Sequence, residues 1–95
     1  MFKVNEYFDG KVKSIAFNSP DGSATTGVMA AGEYTFATSM IEIMTVTCGQ
    51  MQVKLPGTDI WKTYNSGDTF RVEAGQSFEV KMEQDTAYLC VYKSS

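Results

Sequence analysis

The stretch EIMTVTCGQMQVKL, residues 42–55, decides how this chain folds. Its first half, Glu42 to Cys48, is β-prone throughout and opens on a single carboxylate. Its second half alternates strictly, with Met51, Val53 and Leu55 on one side and Gln50, Gln52 and Lys54 on the other. Successive side chains of a strand point to opposite faces, so this period of two describes a strand packed on one side. Gly49 separates the halves, and the expected geometry is a tight hairpin pivoting there.

The same grammar extends in both directions. KVKSIAF (11–17) runs into the turn cluster NSPDGS, and TTGVMA (25–30) and EYTFAT (33–38) follow. Beyond the opening stretch come IWKTY (60–64), TFRV (69–72), SFEVKM (77–82) and AYLCVY (87–92), each bounded by Gly, Asp, Asn or Pro. SFEVKM sets Phe78, Val80 and Met82 against Ser77, Glu79 and Lys81. About nine short strands result, with no convincing helical period, so the class is all-β and the architecture an antiparallel sandwich or barrel. AYLCVY is apolar on both faces, which suits a central strand or one covered by a second subunit.

A chain of 95 residues with 43% hydrophobic content forms a single domain spanning 1–95 with one modest core. The net charge is −3 and the cations are scattered, which argues against nucleic acid or an anionic membrane as partner. The opening MFKVNEYFDG lacks the apolar core of a signal peptide, and no run approaches the roughly 18 apolar residues of a spanning helix. Cys48 and Cys90 lie inside strand-like runs, so the expectation is a cytoplasmic protein with two buried or half-buried thiols and no disulfide.

Zero histidines remove most familiar chemistry: the usual serine and cysteine triads, histidine-ligated zinc or iron, and imidazole acid–base steps. Two cysteines alone make no structural zinc site, and no phosphate-binding glycine loop is present. What remains is a short set of candidates. Glu42, set between isoleucines, faces either solvent or a polar pocket. Arg71, the one arginine, is out of phase with Phe70 and Val72 and reads as an outward cation, although its fork would suit a phosphate. Lys13 and Lys54 are polar members of amphipathic strands. Tyr34, Phe36, Phe78, Tyr88 and Tyr92 are core residues or a platform for a flat ring. Thr35, Thr38, Thr45 and Thr47 are β-formers whose hydroxyls matter only if they enter a cavity.

Two segments resemble the cupin motifs. Glu42 to Gly49 keeps the glutamate–six–glycine end of the first, and GDTFRVEAG (67–75) the glycine-to-glycine spacing of the second. The histidines of those motifs would fall between Thr35 and Thr38 and near Phe78, where this chain has threonines and aromatic rings. A closer resemblance is carried by NEYFDGKVKSIAF (5–17), GVMAAGEYTFAT (27–38), EIMTVTCG (42–49) and YLCVY (88–92). In order and spacing these resemble the small bacterial pyrimidine/purine nucleoside phosphorylase family, of cupin-like fold.

That resemblance implies a single cupin-like antiparallel β-barrel or jelly roll. It also implies reversible phosphorolysis: a nucleoside and phosphate give a free purine or pyrimidine base and a pentose 1-phosphate. The implied enzyme is a homodimer without metal or other cofactor, phosphate being a co-substrate. On the chemistry of that reaction, Glu42 is expected to bind ribose hydroxyls or stabilise positive charge on the sugar. Arg71, Thr38 and Thr45 are the expected phosphate ligands, with Lys13 or Lys54 in place of Arg71 if the strand phase differs. Tyr34, Phe36 or Tyr88 would stack on the base, a contact that reads flatness and so tolerates both base classes. The rival readings are a non-catalytic module binding a nucleobase or sugar, a tyrosine-based sugar isomerase or epimerase, and a structural dimerisation domain.

Overall fold

The structure, a computed structural model, describes residues 1–94. Ten strands make it up: β1 (Val4–Tyr7), β2 (Val12–Ser19), β3 (Gly22–Met29), β4 (Gly32–Ala37), β5 (Ile41–Cys48), β6 (Gln50–Lys54), β7 (Trp61–Asn65), β8 (Thr69–Val72), β9 (Ser77–Met82) and β10 (Thr86–Lys93). Among the described residues there is no helix, hence none long and apolar enough to cross a membrane.

The strands form a six-stranded sheet, β1-β2-β3-β10-β5-β8, and a four-stranded sheet, β4-β9-β6-β7, with antiparallel pairing throughout. Strands β3-β10-β5-β8 against β4-β9-β6-β7 are the eight strands of a jelly roll, and β1 and β2 extend one sheet beyond it. The expected all-β jelly roll is therefore the observed fold, with β1 as the strand that sequence reading passed over. Only Asn5 of VNEY is even partly buried, so its pattern carries no strand signal.

Alternation sorts the residues as read. Met44 and Val46 of β5, Met51 and Val53 of β6, and Phe78, Val80 and Met82 of β9 fill the space between the sheets. AYLCVY is the central strand of the larger sheet, lying between β3 and β5. Its inward row is Tyr88, Cys90 and Tyr92; its outward row, Ala87, Leu89 and Val91, is also apolar. Nearby on that outer face Val4 is 58% exposed and Val28 51%.

The Gly49 junction differs from the hairpin expected there. Strand β5 pairs with β10 and β8, whereas β6 pairs with β7 and β9, so the chain crosses between sheets at this glycine. Both geometries call for a left-handed residue, which is why the sequence alone cannot separate them. Here the requirement is double. Gly49 has φ of +104°, and a Cβ would sit 2.8 Å from Thr86 Oγ1 and 3.3 Å from the Asp85 carbonyl. Gly49→Ala should therefore destabilise the fold by about 2 kcal/mol through strain and crowding together. Urea denaturation of the two proteins measures it, and an unchanged midpoint would mean the corner relaxes freely.

Candidate active site

A cavity of about 140 Å³ lies between the sheets. Larger recesses of about 370 and 480 Å³ lie on the outer faces, around Gln52 and Lys81 and around Ile15 and Val28, but neither encloses a desolvated ionisable group. The inner one does. Glu42 shares the inward side of β5 with Met44 and Val46, and its carboxylate enters the cavity. The inward row of β10 forms the facing wall with Tyr88, Cys90 and Tyr92. Ser14 joins from β2, Tyr7 from the end of β1, and Phe36 and Phe78 from the smaller sheet.

The wall is built by register. Ser14 and Tyr88 both pair with Gly27, on either side of β3. Gly27 leaves the inner surface of β3 bare: a Cβ there would lie 2.9 Å from Tyr88 Oη, 2.9 Å from Ser14 Cβ and 2.4 Å from the Lys13 carbonyl. The tyrosine phenol thus lies across β3 in the space a side chain would occupy. Further along, Tyr92 Oη is 3.1 Å from Thr25 Oγ1.

Electrostatics follow from burial. Desolvation raises the Glu42 carboxyl above its ordinary pKa, partly offset by Cys90, whose Sγ donates to Glu42 Oε1 across 3.6 Å. Burial also lifts the Cys90 thiol, with the Glu42 charge adding to it. It pushes the Tyr88 phenol up to about 12, against the Ser14 hydroxyl, and raises Tyr92 as well. At neutral pH the thiol and both phenols keep their protons, so the carboxylate is ringed by neutral donors.

A metal does not fit this donor set. Phe36 and Phe78, with ring centroids 5.7 Å apart, line the cavity at the two segments where the cupin motifs put imidazoles. That leaves one carboxylate and a thiol held in its protonated form, and no group of three potential ligands exists among the described residues.

The structure gathers Glu42, Phe36 and Tyr88 of the expected site residues into one cavity. Tyr34 stands behind Phe36, centroids 6.3 Å apart, with its hydroxyl donating to the Ala30 carbonyl at 2.7 Å. Arg71 and Thr45 project from the outer face of the larger sheet. Arg71 Nε donates to Glu73 Oε2 at 2.6 Å, and Thr45 Oγ1 is 2.9 Å from Thr69 Oγ1. Thr38, just after β4, is buried against the turn between β8 and β9, donating to the Glu73 carbonyl at 2.7 Å and accepting from the Gln76 amide at 3.0 Å. Lys13 pairs with Glu6 at 3.1 Å and Lys54 with Glu79 at 2.7 Å, so no cation lines the cavity. Ser14, Cys90 and Tyr7 were missed as site residues. The phase of KVKSIAF, with Val12 inward, was the signal available for Ser14.

A jelly roll with one desolvated carboxylate among phenols and aromatic rings defines a small-molecule pocket on a cupin scaffold. An RmlC-like cupin from Shewanella frigidimarina shares that fold, at 18% identity and a TM-score of 0.77 over 99% of this chain and 85% of that one. The family model described as pyrimidine/purine nucleoside phosphorylase matches residues 2–92, and the chain belongs to this family. A Pseudomonas aeruginosa protein of that name is 62% identical over 93 residues, 98% of this chain and 100% of its own. A crystal structure of a Vibrio parahaemolyticus protein of unknown function superposes with a TM-score of 0.90 at 48% identity, covering 95% of this chain and 96% of that one.

The raised Glu42 pKa has a stability consequence of definite sign. The folded chain holds this proton more tightly than the unfolded chain, so stability falls as pH rises from the ordinary carboxyl range through the folded-state value. Glu42→Gln removes that titration. The variant should gain on the parent above this window, and the gap should close below it. Urea denaturation from about pH 4 to about pH 8 reads the difference; a gap constant across that range would show the carboxylate to be solvated.

Proposed function

We propose that this protein is a broad-specificity nucleoside phosphorylase. The supporting observation is family membership across nearly the whole chain, joined to a cavity between the sheets whose lining includes one carboxylate, Glu42. In the reaction the C1′–N bond breaks with its electron pair going to the base, and a phosphate oxygen bonds to C1′. The departing base takes up one proton. Positive charge develops on the sugar between these events, and an ionised carboxylate in a low-dielectric site stabilises it far better than one in water.

Glu42 is the residue for that role, through the sugar ring or its hydroxyls. Phe36 and Tyr88 line the cavity and are the rings on which the base would stack, a contact that accepts purines and pyrimidines alike. At about 140 Å³ the cavity is smaller than the roughly 300–1,000 Å³ usual for a whole ligand. It holds part of the nucleoside, and phosphate then approaches at the mouth. Cys90 is buried as expected, whereas Cys48, at the end of β5 beside the Gly49 corner, is exposed; both are unpaired, which suits the reducing conditions of a cytoplasm.

Phosphate needs a counter-charge, and the cavity has none of its own. A homodimer formed through the outer face of the larger sheet would supply a partner surface against Arg71 and Thr45, which lie on that face. The apolar outward row of β10, with Val4 and Val28 beside it, has the character of an isologous homodimer core. Sedimentation should give twice the 10.5 kDa of one chain. Arg71→Ala should then raise KM for phosphate about tenfold, one charged contact's worth. A 10.5 kDa species with an unchanged KM would leave Arg71 only its surface pair with Glu73.

Incubation with inosine or uridine, with and without phosphate, tests the reaction itself. Base should appear only with phosphate present, and Glu42→Gln should lower turnover at least about tenfold, or roughly 1.4 kcal/mol. Release without phosphate would mean a hydrolase. No release from either nucleoside would leave a ligand-binding module.

A further inference from the structure

The sandwich has a seam. Strand β1 ends the larger sheet and pairs only with β2, and β4 ends the smaller sheet and pairs only with β9. No strand ladder joins the two edges, yet the cavity lies just inside them, with Tyr7 contributed from one side and Phe36 and Ala37 from the other. What bridges the gap is an aromatic side chain. The Phe8 ring sits 5.0 Å from Tyr34 and 5.5 Å from Phe36, edge-on to the latter, while remaining 44% exposed.

The backbone beneath that ring is strained. Phe8 has φ of +53° and Asp9 of +57°, two consecutive side-chain-bearing residues in the left-handed region, before Gly10 at +83°. Bulky residues seldom occupy that region unless tertiary contacts hold them there. The turn's backbone hydrogen bonds, Gly10 N to Tyr7 O at 3.1 Å and Lys11 N to Phe8 O at 3.2 Å, close within the hairpin itself. The ring contacts are therefore what draws the turn onto β4.

We infer that Phe8 is the latch of a gated seam: molecules reach Glu42 when its ring leaves Tyr34 and Phe36, and the room made there determines which nucleosides enter. The turn supplies the conformational freedom, because releasing the ring also removes the reason for its strained backbone. Tyr7 moves with the latch, so opening and closing rearrange a cavity-lining residue as well as the entrance. The selectivity half of this inference rests on the phosphorylase reading. The gate itself rests on the cavity alone.

Cys90 offers a reporter that needs no nucleoside. It lines the cavity and is 2% exposed. In a Cys48→Ser background, methyl methanethiolsulfonate converts the remaining thiol to a methyl disulfide with loss of methanesulfinate, at a rate that reads access. Phe8→Gly keeps a residue at ease with positive φ and deletes the ring; Phe8→Tyr keeps the ring. The glycine variant should react about tenfold faster and the tyrosine variant within about twofold of the parent, as expected for the loss or retention of an aromatic contact. The parent's rate should also be independent of urea below the unfolding transition, the mark of local opening. Equal rates for parent and Phe8→Gly would overturn the latch. So would a parent rate that climbs with urea from the outset, since Cys90 would then be reached only by global unfolding. With an active enzyme, Phe8→Gly should also lower KM for inosine more than for uridine. An unaltered ratio would overturn selectivity, and an enzyme inactive on both would count against phosphorolysis while the thiol rates still decide the gate.

Discussion

The insertion of the last strand between β3 and β5 holds the larger sheet together. Without β10, the β1-β2-β3 meander and the β5-β8 pair are separate pieces, each too small to present an apolar face to the four-stranded sheet. Its register joins Thr86–Val91 to β3 on one side and Ala87–Lys93 to β5 on the other. These contacts link distant parts of the chain, so their loop-closure entropy must be met before they stabilise anything. The same strand also turns Tyr88, Cys90 and Tyr92 inward. Closure of the fold and construction of the polar wall are thus one event.

Against that wall stands a carboxylate with no cation for company. Removing a charge from water costs several kcal/mol unless it is paired, and a single long thiol contact returns little of that. The remainder appears as a raised pKa and the need for a protonated environment. Cys90, Tyr88 and Tyr92 are each buried enough to stay neutral, which prevents a second negative charge from forming beside Glu42. An uncompensated carboxylate of this kind is what the proposed reaction would use, since it favours a sugar that gains positive charge.

Much of this was legible from period-two patterning. Once Met44 and Val46 are taken as core, Glu42 must face inward, and once Phe70 and Val72 are core, Arg71 must face out. The expectation of Arg71 as phosphate ligand set the chemistry of its side chain against its phase. In the structure the outward phase prevails, and Arg71 pairs with Glu73 at the surface. What patterning cannot contain is which strands share a sheet. Gly49 fits the pattern whether it ends a hairpin or turns a corner, and only the pairing of β5 and β6 with different neighbours distinguishes the two. The strained Phe8 was equally out of reach, because nothing in NEYFDG announces a left-handed phenylalanine before its ring has something to touch.

The eight-stranded roll on its own is generic; its specific features come from the two strands added to it. Strand β2 brings Ser14 to one side of Gly27, opposite the Tyr88 phenol, and β1 ends in Tyr7 and the Phe8 latch. Gly27 is the hinge of this arrangement in a chemical sense, since any side chain there would push Tyr88 off β3 and Ser14 away from it. A roll lacking β1 and β2 would keep Glu42 and Cys90 but lose Tyr7 and Ser14 from the cavity wall, so that water entering on that side would return the carboxyl pKa toward normal. The added hairpin therefore does more than cover apolar surface. It completes the wall of the space in which Glu42 is held beside Cys90 and the phenols.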